Sequence, residues 1–177
     1  MNSDKKRKFA GKISITLILL QILFLYLFSN AAERFYYTLH YELFECFYNS
    51  GNQLAKECYE DYSLYSLNDL LVGPIHMMLY GLLIAVIIIG IVNRIRKKHL
   101  LNTFIVLTLY VLLFLSGIFR FTNELDSLLL NFARFFTHKF WAMNFMVVQI
   151  YFISGMVILW LSVKNKYLSK TSQDKIG

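Results

Sequence analysis

Residues 73–92 read GPIHMMLYGLLIAVIIIGIV, and residues 93–98 continue NRIRKK. The first stretch carries no Asp, Glu, Lys or Arg, and a run of about 20 apolar residues is what an α-helix needs to cross the hydrocarbon core. Lipid offers the backbone no hydrogen-bond partner, so a crossing segment satisfies itself as a helix. The basic run that follows anchors the Val92 end on the cytoplasmic side. This one segment places the chain among all-α membrane proteins and sets the direction of one helix.

Working outward, comparable apolar runs predict further spans over about 13–32, 100–119 and 141–163, with external loops at 33–72 and 120–140. The alternation of a membrane barrel is absent. Cations accumulate in the N-terminal tail (Lys5, Lys6, Arg7, Lys8, Lys12), in the connection holding Arg94, Arg96, Lys97 and Lys98, and in the C-terminal tail (Lys164, Lys166, Lys170, Lys175). The other side holds Arg34, Lys56, Arg120, Arg134 and Lys139. The expectation is a single membrane domain, 1–177, in a bacterial inner membrane. Four transmembrane helices form an antiparallel bundle with a small extracytoplasmic helical cap, and both termini are cytoplasmic. The net charge of +7 is then a topology signal. The cytoplasmic segments are too short to fold a nucleic-acid-binding domain, so direct nucleic-acid binding is not expected. The basic face suits anionic headgroups or an acidic soluble protein, and Arg94, Arg96, Lys97, Lys98, Lys164 and Lys166 are its docking candidates. Ser29-Asn30-Ala31 resembles a signal-peptide cleavage site. The preceding apolar core is longer than such peptides carry, however, and aromatics continue beyond it, so the first span is expected to stay uncleaved.

The first external loop is acidic. Phe35, Leu39, Leu43 and Phe47 recur every four residues, which predicts that the first helix continues to about Tyr48. Asn49-Ser50-Gly51-Asn52 then breaks it, a second short helix covers about 53–62, and Gly73-Pro74 opens the second span. Cys46 and Cys58 both fall in this loop, facing an oxidising compartment, where a disulfide would contribute about 3 kcal/mol at most. In the second loop, Leu125, Leu128, Leu129, Phe132, Phe135 and Phe136 share one helical face, with Ser127, Asn131, Arg134 and His138 opposite. Asn123 and Asp126 loosely resemble a capping pair. Two readings stay open: the helix lies in the outer membrane–water interface, or its apolar face packs on the first loop. Either way it roofs the bundle.

Polar residues are sparse within the spans: Gln21, Thr108, Ser116, Asn144, Gln149 and Ser154. No carboxylate or Lys is expected near a midplane, which argues against a proton-coupled pump. Asn144 and Gln149 read as interhelical hydrogen-bonding groups, and Gly81 with Ala85 as a small-residue pair admitting another helix, from this chain or from a second copy in a homo-oligomer. Gly117 and Gly155 read the same way. Tyr36, Tyr37, Tyr41 and Tyr48 suit an interfacial aromatic belt, and Trp141 and Trp160 mark the two ends of the last span.

His40, Glu42, Glu45 and His76 are the residues that could converge near the outer surface as a metal or acid–base site, but no zinc, nucleotide or serine-hydrolase motif accompanies them. No catalytic residue, metal or cofactor is therefore expected, and the chain is read as acting by contact. A small channel and a membrane-embedded enzyme are the remaining alternatives. The span number, length and orientation resemble the four-span membrane subunit of the Kiwa antiphage system and the four-span immunity proteins that block pore-forming colicins. The first resemblance implies a membrane sensor that recruits a cytoplasmic partner; the second implies protection against one pore-former. No residue motif carries either, so no functional residue is transferred.

Overall fold

The computed structural model describes residues 15–49, 67–95, 101–117 and 121–164. All regular structure among them is helical: α1 (Ile15–Leu39), α2 (Tyr41–Asn49), α3 (Leu67–Ile95), α4 (Leu101–Leu115), α5 (Phe121–Arg134) and α6 (Phe140–Lys164). Among the described residues three helices are long and apolar enough to cross a membrane, over Ile15–Leu39, Asp69–Ile95 and Phe140–Val163. The chain is thus a helical protein with membrane-spanning character.

The boundaries differ from the sequence reading in instructive ways. The first helix continues past the expected span end near Ala32, taking in Glu33 and Arg34, but stops at Leu39 instead of running unbroken to about Tyr48. Helix α2 follows after a single turn residue, His40, whose amide still donates to the Tyr36 carbonyl at 3.0 Å. Helix α3 begins before Gly73-Pro74, placing Pro74 inside the helix rather than in its first turn. Helix α4 is 15 residues long, against the 100–119 expected. It reaches about 22 Å at 1.5 Å per residue, short of a core about 30 Å thick. Gly117 explains the stop. Its φ of 72° is left-handed, which glycine adopts without steric cost, and its amide donates back to the Phe114 carbonyl at 3.2 Å. Gly117 therefore ends a helix instead of opening a helix contact.

Helix α1 is the centre. Its most apolar window is 56% buried, against 17% for α3 and 22% for α6, and α6 and α3 are its main neighbours. Gly81, Ala85, Ile89 and Asn93 recur every four residues on α3, and all are buried, forming one stripe. At Gly81 the approach is close enough that an added Cβ would stand 2.5 Å from the Ala32 Cβ and 3.2 Å from the Phe28 carbonyl oxygen. At Gly73 it would run into the Tyr36 ring, whose hydroxyl donates to the Asp69 carbonyl at 3.0 Å. On the α6 side the Phe28 and Phe152 rings lie 5.9 Å apart, and Gly155 sits beside Phe24 and Leu27. Phe24, Leu25, Ala85, Ile89, Val106, Tyr110, Val147 and Tyr151 form the core.

The outward surfaces are apolar. Leu83, Ile87 and Ile91 on α3, and Ile153, Val157 and Trp160 on α6, are all exposed. A contiguous apolar exterior of this kind marks a surface built for a non-aqueous neighbour.

The close approach at Gly81 makes a direct prediction. Gly81→Leu should force α1 and α3 apart and destabilise the fold by about 1–3 kcal/mol. Gly155→Ala, whose new methyl would meet its neighbours at an ordinary 3.7 Å, should shift stability by no more than about 0.5 kcal/mol. Thermal unfolding of both variants in the same detergent checks the contrast.

Candidate functional site

The last turns of α1 carry Glu33, Arg34 and Tyr37, and three helices meet there. The Arg34 Nη2 donates to Asp126 Oδ2 of α5 at 2.6 Å, and Nη1 donates to Asn144 Oδ1 of α6 at 3.3 Å. Asp126 Oδ1 accepts a 2.5 Å hydrogen bond from the Tyr151 hydroxyl, also on α6. Asn144 in turn donates to the Phe140 carbonyl at 3.0 Å. The guanidinium lies 5.3 Å from the Tyr37 ring centroid, and the Tyr37 hydroxyl donates to Glu33 Oε1 at 3.1 Å. Arg34 and Asp126 are 16% and 15% exposed, so the pair is largely withdrawn from solvent. Charge-assisted hydrogen bonds in such a setting are short and strong, but each partner depends on the other to offset its desolvation. Among the described residues Arg34 Nε has no hydrogen-bond partner, and it is buried.

Helix α5 reaches this cluster because of its rotation. Leu129, Leu130 and Ala133 turn toward the core, Ala133 being fully buried, and Asp126 lies on that same face. The apolar residues Leu125, Leu128 and Phe132 are exposed instead, as are Phe135 and Phe136 just beyond the helix. Asp126 is thus an interhelical partner of Arg34 and not half of a capping pair.

A second polar cluster ties the opposite end of α1 to two other helices. Gln21 Nε2 donates to Asn93 Oδ1 at 2.8 Å, and Asn93 Nδ2 donates to Thr103 Oγ1 at 3.0 Å and to Gln21 Oε1 at 3.4 Å. Gln21 and Asn93 are 1% and 0% exposed. This amide pair joins α1, α3 and α4. Between the two clusters, the Ser29 and Tyr110 hydroxyls lie 3.0 Å apart, linking α1 to α4.

The sequence-predicted residues are dispersed. Asn144 is buried in the Arg34 cluster, whereas Gln149 is exposed on the outside of α6; five residues apart, they cannot share a helical face. Gly81 and Ala85 lie in the α3 stripe against α1. Arg94 is exposed at the end of α3. Arg96, Lys97, Lys98, Lys166 and Cys58 lie outside the described residues, as do the side chains of Cys46 and Lys164 and the helix expected over 53–62. His40 stacks on Tyr36 at 4.2 Å, Glu42 accepts from the Tyr41 hydroxyl, and His76 is exposed on α3. Among the described residues no group of three His, Cys, Asp or Glu is placed to hold a metal.

Sequence reasoning missed Arg34, Asp126 and Asn93 as partners. By sequence Arg34 reads as a loop cation, and Asn93 lies just past the expected end of the second span at Val92. The signal for Asp126 was present, because it stands three, four and seven residues from Leu129, Leu130 and Ala133. What the cluster does chemically is neutralise two charges and fasten α5 to α1 and α6.

No protein-family model matches the chain, and no curated protein or solved structure matches it.

Removing one member of the ion pair should cost more than removing both. Asp126→Ala or Arg34→Ala alone should lower stability by roughly 3 kcal/mol, because the remaining charge is left half-dry, while R34L/D126L should recover most of the loss. Asn93→Leu should cost about 1 kcal/mol by stranding Gln21, and Q21L/N93L should restore it. Unfolding in mixed micelles, compared across each double-mutant cycle, reads both effects.

Proposed function

We propose that this chain is an integral protein of a bacterial inner membrane that crosses the bilayer four times as an antiparallel bundle, with both termini inside, and works by contact. In this reading α4 makes the third crossing. The Arg94–Lys98 connection and the C-terminal tail form a basic cytoplasmic face that docks a soluble partner. The role is that of a membrane subunit of an antiphage defence system, sensing disturbance at the outer surface and passing it inward. One observation carries most of the support: the Arg34–Asp126–Asn144 cluster ties a surface helix to α1 and α6, and α6 leads directly to the basic tail. A push on α5 therefore has a polar, hydrogen-bonded route into helices that extend the length of the bundle. The polar groups of both clusters bond to one another, a use suited to fastening helices.

A second reading, immunity against a pore-forming bacteriocin, draws on the exposed apolar face of α6 formed by Phe152, Ile153, Met156, Val157 and Trp160. In that reading the face packs against a helix of the toxin within the bilayer.

The two readings separate in one set of cells. Reporter fusions at residues 50 and 130 should lie outside, and fusions at 98 and 177 inside. A sensor should pull down a soluble protein and protect against phage, and R94E/R96E/K97E/K98E should abolish both while the chain still inserts. An immunity protein should protect against one pore-former with those four charges reversed, and should lose protection with Ile153→Arg or Val157→Arg. Cytosolic reporters at 50 or 130 would end both readings.

A further inference from the structure

Helix α5 has three faces where a helix packed on a water-soluble protein has two. At about 100° per residue, Asp126, Leu129, Leu130 and Ala133 fall in one sector, and this sector faces the bundle. Leu125, Leu128 and Phe132 fall in a second sector on one flank, and all three are exposed. Glu124, Ser127, Asn131 and Arg134 fall in a third sector on the other flank, and they are exposed too. The turn after the helix prolongs the apolar flank: Phe135 is 87% exposed, and Phe136 is exposed with its ring 5.3 Å from Phe132. A helix in contact with protein and water alone needs an inward apolar face and an outward polar one. The additional apolar flank requires a third neighbour.

We infer that the Leu125–Leu128–Phe132–Phe135 ridge of α5 is seated in the interfacial zone of the outer leaflet, with its Glu124–Ser127–Asn131 flank in water. This rests on the four-span topology proposed above and deepens it by naming the element that touches the lipid surface. Two observations favour lipid over a protein occupant. The ridge is continuous with a membrane-type surface: the chain passes from Phe136 within a few residues into α6, whose first turns expose Trp141 and Phe145, aromatics of the kind that settle at headgroup level. The Arg34–Asp126 pair also holds α5 at the end of the bundle where α1 finishes and α6 begins, the level at which a helix lying flat meets the headgroups. By fixing the inward face, Asp126 fixes which flank meets lipid.

The test uses the full chain reconstituted in vesicles of phosphatidylethanolamine and phosphatidylglycerol, with the photo-reactive residue p-benzoyl-phenylalanine placed singly at Phe132, at Asn131 or, as a control, at Ile153 of α6. Adducts are identified by mass spectrometry. The expected result is a phospholipid adduct at Phe132 and at Ile153, with the Phe132 yield roughly tenfold above that at Asn131. If Ile153 takes lipid while Phe132 cross-links to a second copy of the chain, or reacts no more than Asn131 does, the inference is overturned and the topology stands. If neither Ile153 nor Phe132 takes lipid, the membrane reading falls and carries the inference with it. The same three positions in the D126A background give a second readout. Loss of the fixed rotation should bring the Phe132 and Asn131 yields to within about twofold of one another, and an unchanged ratio would show that Asp126 does not set the rotation.

Discussion

The ion pair between Arg34 and Asp126 is the constraint on which the arrangement depends. It joins a charge at the end of an apolar helix to a charge in the middle of an amphipathic one, 92 residues apart in the chain. Neither charge could be withdrawn from water alone, because desolvating an unpaired ion costs several kcal/mol. Together they form a neutral unit, and Tyr151 and Asn144 complete its hydrogen bonding from α6. The pair therefore dictates where α5 sits and how it is rotated about its own axis. Its apolar flank is left outward as a consequence, since the inward sector is already assigned to Asp126, Leu129, Leu130 and Ala133.

The rest of the bundle is organised around α1 by two different means. Where α3 approaches, small residues remove bulk: Gly81 and Ala85 let the backbones close to a distance that no larger side chain would permit. Within lipid such close packing supplies attraction that the hydrophobic effect cannot, because hydrocarbon surrounds the separated helices equally well. Where helices meet at the two ends, polar side chains supply direction. The Gln21–Asn93–Thr103 cluster at one end and the Arg34 cluster at the other act as register marks, since each amide or charge has few positions in which its partners are all in reach. The two ends are thus held by polar contacts, and the middle by shape together with the Ser29–Tyr110 hydroxyl contact.

This division bears on the proposed role. A protein that works by contact needs a surface that meets its trigger, a surface that meets its partner, and a connection between them. In that proposal the flank of α5 and the basic segments that follow α3 and α6 are candidates for the two surfaces. Helices α1 and α6, hydrogen-bonded to α5 through Arg34, Asn144 and Tyr151, are the physical connection. Coupling through such a route requires two arrangements of the cluster, and Arg34 Nε, buried without a partner among the described residues, is a group that a second arrangement would satisfy.

The amino-acid sequence by itself determined the class of the protein. Long uncharged runs such as Gly73–Val92 are legible without tertiary information because the hydrocarbon thickness acts on each segment independently. That residues 121–134 form an amphipathic helix was legible for the same reason, being a periodicity within one segment, but the division of its apolar residues between the bundle and the outside was not. What the sequence could not decide was anything that depends on a partner from elsewhere in the chain. Asn144 and Gln149 look alike as isolated amides, yet only the first meets another helix. Arg34 looks like one more loop cation, and Gly117 like one more packing glycine. Only the tertiary structure revealed that the first is half of an ion pair and the second the left-handed end of α4, because a side chain's role is set by what the fold brings within a few ångströms of it.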